Sequence, residues 1–288
     1  MGVNLLLPNE KEARRRICQV RDLPPLPGGL QRLLEILQDE SAHIGDLESF
    51  IKNDPSLAAR VLRLANSSYY GNRGRITTLS RAILIIGFAQ VKSLCLCIML
   101  MDLFLGTGPL DSEQREKFWK HAFATASIAT EMAKTRPWIK QEEAYILGLL
   151  HDLGWMVMAI YFNDYYKSIQ DIALQRSVPA WYIESEYGLT HARVGKWLAI
   201  KWALPEMFTR VMEFHHTPGD SPSFKSEVKI ITLADMLANS REHLGYLTSS
   251  QAISYCKDLF ITEDEWDDYQ GRLGNIWPKV DELWGFLR

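Results

Sequence analysis

The stretch GLLHDLGWM, residues 148–156, places an imidazole and a carboxylate, His151 and Asp152, inside an otherwise apolar run. An ionised carboxylate taken out of water without a partner is very costly. Whatever this chain folds into must therefore give Asp152 either a cation or a solvent-facing helix end. An Asp near a helix end is commonly a cap or half of a salt bridge, and a lone His on an apolar face is commonly a neutral core histidine. The doublet alone does not decide between these roles and a holding site.

The surrounding pattern is helical almost everywhere. GLQRLLEILQD repeats Leu30, Leu33, Leu34 and Leu37 at helical spacing, and DLESFIKND and SLAARVLRLANSS continue in the same way. Asp54-Pro55 reads as a helix boundary with Pro early in the next helix. SRAILIIGFAQVKSLCLCIMLMDLFL is apolar on most faces and belongs at the centre of an N-terminal lobe. No β-hairpin signal, internal repeat or low-complexity segment interrupts the pattern. GTGPLDSEQ, residues 106–114, is the clearest break, with Asp111 and Gln114 spaced as a capping box. The expected fold is all-α and two-lobed: an N-terminal segment 1–19, a helical lobe 20–110, a second helical lobe 111–240 and a helical extension 241–288. Helices in the second lobe are expected near 113–134, 141–160, 165–177, 179–187, 190–203, 205–216 and 225–240.

Composition excludes several classes of function. The 288 residues suffice for a substantial core, and a formal net charge of −3 gives no reason to expect DNA or membrane binding. The opening MGVNLLLPNEKEARRR lacks the order of a signal peptide, and Leu94–Met101 is far short of a membrane span. Cys18, Cys95, Cys97 and Cys256 read as reduced thiols, because i and i+2 on a helix do not face one another. The expectation is a soluble, cytoplasmic protein.

Of the seven histidines, His43 and His243 lie in polar segments. The other five lie in or beside apolar helix patterns: His121 in FWKHAFATASIA, His151, His191 in GLTHARVGKWLA, and His215-His216 in VMEFHHTPG. Asp235 lies among Ile231, Leu233, Met236 and Leu237. Taken singly, each suits a core role. Taken together, five His and two Asp are the donors that suit Fe, Mn, Zn and similar divalent ions, and they suffice for two ions with one bridging carboxylate. His215-His216 comes just before Thr217-Pro218-Gly219, where the helix must stop, and a helix C-terminus favours a nearby cation. Gly195, one turn after His191, leaves room beside it.

The order His121, His151-Asp152, His191, His215-His216, Asp235 resembles the HD superfamily of metal-dependent phosphohydrolases. LPPLPGGLQRLLEIL, IKNDPSLAARVLRLANSSYYG and ITTLSRAILIIGFAQVKSL look like the N-terminal half of the HDOD family, the HD-related output domains of bacterial signalling. The likeness runs from about residue 20 to about 240. It implies an all-α fold and a signalling or regulatory output role, with signalling proteins or a phosphorylated small molecule as partners. Many HDOD members have lost part of the ligand set, whereas this chain carries all seven residues. Relatives with the HD-GYP signature cleave cyclic di-nucleotides. Here TPGDSPSF follows the His pair, so GYP is missing, and Trp155 stands where those relatives carry a lysine. Cyclic di-GMP hydrolysis is therefore not expected.

The mechanism implied for an active enzyme has two divalent ions, Fe or Mn in preference to Zn, Ni or Mg, sharing Asp152 and activating a water. His121, His151 and Asp235 would hold one ion, and His191, His215 and His216 the other. From Pro55 through Met101 the chain has no Asp or Glu but contains Arg60, Arg63, Arg73, Arg75, Arg81 and Lys92, with Tyr69 and Tyr70 among them. Arg73 and Arg75 are candidate phosphate or partner contacts, and a solvated basic face is the simpler account of the segment.

Overall fold

A computed structural model describes residues 26–39, 41–67, 75–104, 110–240 and 249–287. Among these residues every regular element is helical and no strand occurs. They fall into two compact units, one of 110–276 and the other of 26–104 with 277–287.

In the unit of lower residue numbers, α1 is Gly28–Gln38, α2 Ile44–Lys52, α3 Pro55–Ala65, α4 Leu79–Ile86 and α5 Phe88–Phe104. Asp54 caps α3 by accepting hydrogen bonds from the Ser56 and Leu57 N–H groups at 2.9 and 3.0 Å, and Pro55 fills the first helical position, where no N–H is needed. Asn66 ends α3, and its side-chain amide pairs with the backbone of Ile76, donating to the carbonyl at 2.9 Å and accepting the N–H at 2.8 Å. This gives Asn66 of the LANS motif a purely structural use. Gly87, at φ 99°, turns α4 into α5 through a bend of 106°. α5 is buried along most of its length, Cys95 and Cys97 included, as its apolar circumference requires. Tyr69, Tyr70, Gly71 and Arg73 lie outside the described residues.

The other unit contains α6 Ser112–Ala133, α7 Gln141–Leu150, α8 Leu153–Tyr161, α9 Asn163–Arg176, α10 Ala180–Tyr187, α11 His191–Lys201, α12 Glu206–Phe214, α13 Lys225–Asn239, α14 Ser249–Asp258 and the start of α15, Glu263–Leu287. α6 begins with the expected capping box: Asp111 accepts the Gln114 N–H at 2.8 Å, and Gln114 accepts the Asp111 N–H at 3.1 Å. The stretch Gln141–Tyr161 is long and apolar enough to cross a membrane by length and composition, but most of it is buried inside this unit as a core element.

The single helix expected over 141–160 is two. α7 stops at Leu150, His151 and Asp152 form a turn, and α8 starts at Leu153. Close backbone contacts flank the turn on both sides. A Cβ on Gly148 would lie 2.7 Å from Ala126 Cα, so α7 rests directly on the backbone of α6. A Cβ on Gly154 would lie 2.0 Å from the His191 carbonyl oxygen and 2.5 Å from Gly195 N, so α8 rests directly on α11. The two glycines six residues apart thus bring the doublet against the helices that carry His121 and His191. Gly195 has the lesser part in this packing, because its added Cβ would meet Met212 side-chain atoms at 3.3 Å.

The contrast is measurable. Gly154→Ala should cost about 3 kcal/mol or more in urea unfolding, because backbone must shift, whereas Gly195→Ala should cost under about 1.5 kcal/mol, because a Met side chain can yield. Equal costs for the two substitutions would refute this account of the crossing.

Candidate metal centre

The seven candidate donors come from five helix ends or faces. His121 lies within α6, His151 and Asp152 form the α7–α8 turn, and Asp235 lies within α13. His191 opens α11, where Gly188, at φ 88°, has ended α10 and Thr190 caps the new helix by accepting the Arg193 N–H at 3.1 Å. His215 caps the end of α12, with His216 next and Pro218 opening a short 3₁₀ turn. The Thr232 hydroxyl, 2.7 Å from the His215 carbonyl oxygen, ties α13 to that end.

All seven side chains converge. They form two groups, His121, His151 and Asp235 in one and Asp152, His191, His215 and His216 in the other, with donor atoms within 4.8 Å of one another in each. The Asp152 carboxylate lies between them. Its Oδ2 is 3.5 Å from His121 Nε2 and 3.4 Å from His151 Nε2, and its Oδ1 is 3.2 Å from both His191 Nε2 and His215 Nε2. Asp235 Oδ1 is 3.1 Å from His121 Nε2. Arg75 is exposed and belongs to the other unit, and Arg73 lies outside the described residues.

The partners of the opposite ring nitrogens show what the centre requires. His151 Nδ1 is 2.7 Å from the Gly148 carbonyl oxygen, His191 Nδ1 is 2.6 Å from Glu184 Oε2, and His215 Nδ1 is 3.2 Å from the Val211 and Met212 carbonyl oxygens. Carbonyl and carboxylate oxygens only accept, so each Nδ1 carries the hydrogen and each neutral ring turns an Nε2 lone pair inward. Those inward nitrogens crowd one another: His191 and His215 Nε2 are 3.2 Å apart, His191 and His216 Nε2 3.0 Å, and His121 and His151 Nε2 3.4 Å. Asp152 Oδ1, buried, has no hydrogen bond of acceptable geometry from the described residues, although two imidazole nitrogens lie beside it. Where both rings are fixed in that form, His191 against His215, acceptors face one another at 3.2 Å and repel unless positive charge lies between them. Donors held about 2.0–2.2 Å from one ion stand about 3.0–3.5 Å apart, which is the spacing seen. The residues therefore fit divalent cations in both chemistry and spacing.

Without an ion, protons supply the charge. Burial opposes protonation of His191, but Glu184 and Asp152 outweigh it and raise its pKa to about 10. Burial likewise opposes a charge on His151, and Asp152 and Asp235 overcome it, raising its pKa. Burial, compounded by the neighbouring imidazoles, lowers His215 and lowers His216 further. Burial resists ionisation of Asp152 and Asp235, yet the imidazoles around them hold both far below the usual carboxylate range.

Three other residues belong to the centre and were not foreseen. Glu184, on α10 and 1% exposed, backs His191. Asn239 donates to Asp235 Oδ1 at 2.7 Å, an i,i+4 contact that the spacing on α13 made readable. Trp181 stacks on His216 with centroids 5.0 Å apart and planes 18° from parallel, so it is more than core packing. Trp155, in the position of the HD-GYP lysine, packs edge-on against Tyr166 at 4.7 Å.

In chelator-treated protein the His191 proton links stability to pH. Its folded pKa is raised, so its contribution is complete below the ordinary imidazole value of about 6.5 and disappears as pH rises toward about 10. The unfolding free energy that separates wild type from His191→Gln should therefore shrink between pH 6.5 and 9.5, as read by urea titration. A gap that is constant or widens over that range would show that His191 is not held protonated.

The chain was compared with known proteins. The HDOD domain model matches residues 23–218. An uncharacterised protein of Treponema pallidum (strain Nichols) is 26% identical over 223 residues, which is 76% of this chain and 42% of that protein, so the chain spans less than half of its curated relative. Among solved structures, an HDOD domain protein of unknown function from Geobacter sulfurreducens has a TM-score of 0.79 at 22% identity, covering 95% of this chain and 99% of its own. A candidate signal-transduction protein from Marinobacter aquaeolei VT8 has a TM-score of 0.79 at 24% identity, covering 92% of this chain and 59% of its own. A candidate phosphohydrolase from Shewanella amazonensis SB2B has a TM-score of 0.75 at 22% identity, covering 95% and 97%. At these identities the structural likenesses establish the fold, while the domain match covers most of the chain, and the chain belongs to the HDOD family.

Proposed function

We propose that this chain is an HDOD signalling output module built round a dinuclear divalent-metal centre, with Asp152 shared between the ions. The observation that carries the reading is the convergence of inward-facing Nε2 atoms on both oxygens of one half-buried carboxylate. His121, His151, Asp235 and Asp152 Oδ2 would hold one ion. His191, His215, His216 and Asp152 Oδ1 would hold the other. Fe or Mn suits this mixture of imidazole and carboxylate, and the absence of thiolate donors counts against soft-metal alternatives.

A second reading, a metal-dependent phosphohydrolase acting on a nucleotide or other phosphate ester, draws on the 18% side-chain exposure of His121, Asp152 and His216, which leaves one side of the centre within reach of solvent. Bound ions would supply Lewis acidity toward a phosphoryl oxygen and would lower the pKa of water. The chain's own part would be to orient: Asp152 fixes the two groups relative to each other, and Gly148, Glu184 and the end of α12 hold the imidazole rings. The Trp155–Tyr166 packing occupies the position of the HD-GYP lysine, so cyclic di-nucleotides are disfavoured as substrates.

Protein purified without chelator should carry close to two Fe or Mn per chain by elemental analysis, and Asp152→Ala should lose most of both. A wild type that retains no ion, even after Mn2+ or Fe2+ is supplied, would refute the metal reading. On a panel of phosphate mono- and diesters, hydrolysis that Asp152→Ala abolishes supports the second reading. Hydrolysis that survives the substitution belongs to a contaminant.

A further inference from the structure

The two donor groups are unequal in charge. Asp152 belongs with His191, His215 and His216 and also reaches His121 and His151, so the His121, His151 and Asp235 group has Asp235 besides a share of Asp152, whereas the other group has Asp152 as its one carboxylate. Beside that poorer group lies Glu184, whose side chain is buried as deeply as the donors themselves. Its Oε2 accepts both from His191 Nδ1 at 2.6 Å and from the His191 backbone N–H at 2.8 Å, which fixes the ring and the start of α11 together. His151 and His215 rest their Nδ1 atoms on peptide carbonyl oxygens instead. Glu184 is itself held in place by its helix, since α10 packs on α9, with an Arg176–Glu186 ion pair at 2.5 Å between them.

We propose that Glu184 is the positioning residue that makes the His191, His215 and His216 group a high-affinity cation site, by locking the His191 ring and supplying negative charge besides that of Asp152. A carboxylate behind a ligating imidazole fixes its orientation and raises its basicity. The inference rests on the dinuclear reading above.

The test compares affinities of chelator-treated protein by equilibrium dialysis against Mn2+ and Co2+ with elemental analysis, together with Co2+ absorption. Glu184→Gln keeps an acceptor for His191 but removes the charge. It should weaken one of the two ions by about 10–100-fold and leave the other at its wild-type affinity. Asp235→Asn should weaken the ion that Glu184→Gln spares. In a His191→Ala background, adding Glu184→Gln should change nothing further. Should Glu184→Gln fail to fold, Glu184→Asp, which keeps the charge but falls one methylene short, carries the same comparison. Two ions bound at wild-type affinity by the Glu184 variant would overturn the proposal, as would equal weakening of both. A wild type that binds no ion overturns the dinuclear reading instead, and the wild-type measurement alone shows which has failed.

Discussion

The Asp152 carboxylate lies where two sets of imidazole lone pairs meet, and most of what surrounds it makes sense as a means of keeping it there. Taken alone, the neutral rings repel: the His191 and His215 Nε2 lone pairs face one another at 3.2 Å beside a half-buried anion. Such a cluster persists only if its scaffold is stiff and positive charge is present. The scaffold is supplied by bare backbone at Gly148 and Gly154, where α6 and α11 approach too closely for any side chain. In the ion-free chain the neighbouring carboxylates favour protonation of His151 and His191 against the opposing effect of burial.

Much of this was legible in the sequence, for identifiable reasons. Helical periodicity, the Asp54-Pro55 boundary and the Asp111/Gln114 box are local signals, and local hydrogen bonds realise them. The seven side chains that converge were legible as a set because imidazoles and carboxylates are expensive on apolar faces. The break at His151-Asp152 was hidden because apolar residues continue on both sides, and what flanks it is close contact with α6 and α11, which sequence does not display. Glu184 was hidden for a related reason. It sits in a short helix with Ile183 the only other buried residue, seven positions before His191 and across a glycine turn, where no periodicity links the two. The role read into Gly195 belongs mainly to Gly154, because sequence shows that a helix crossing needs a small residue but not which partner supplies the closer approach.

The charge around the centre bears on what it does. A site that grips phosphate ordinarily surrounds it with Arg or Lys. Here the basic residues nearest in sequence to the donors are engaged elsewhere: Lys120 with Glu116, Lys196 with Glu213, Arg210 with Glu206, and Arg193 with the Gly188 carbonyl. Trp155, which follows the His151-Asp152 pair, is turned against Tyr166. Affinity for an anionic ligand would then have to come mainly from the ions themselves and so would depend on their occupancy. The two groups draw negative charge from different places, from Asp235 among the side chains of one and from Glu184 behind His191 in the other.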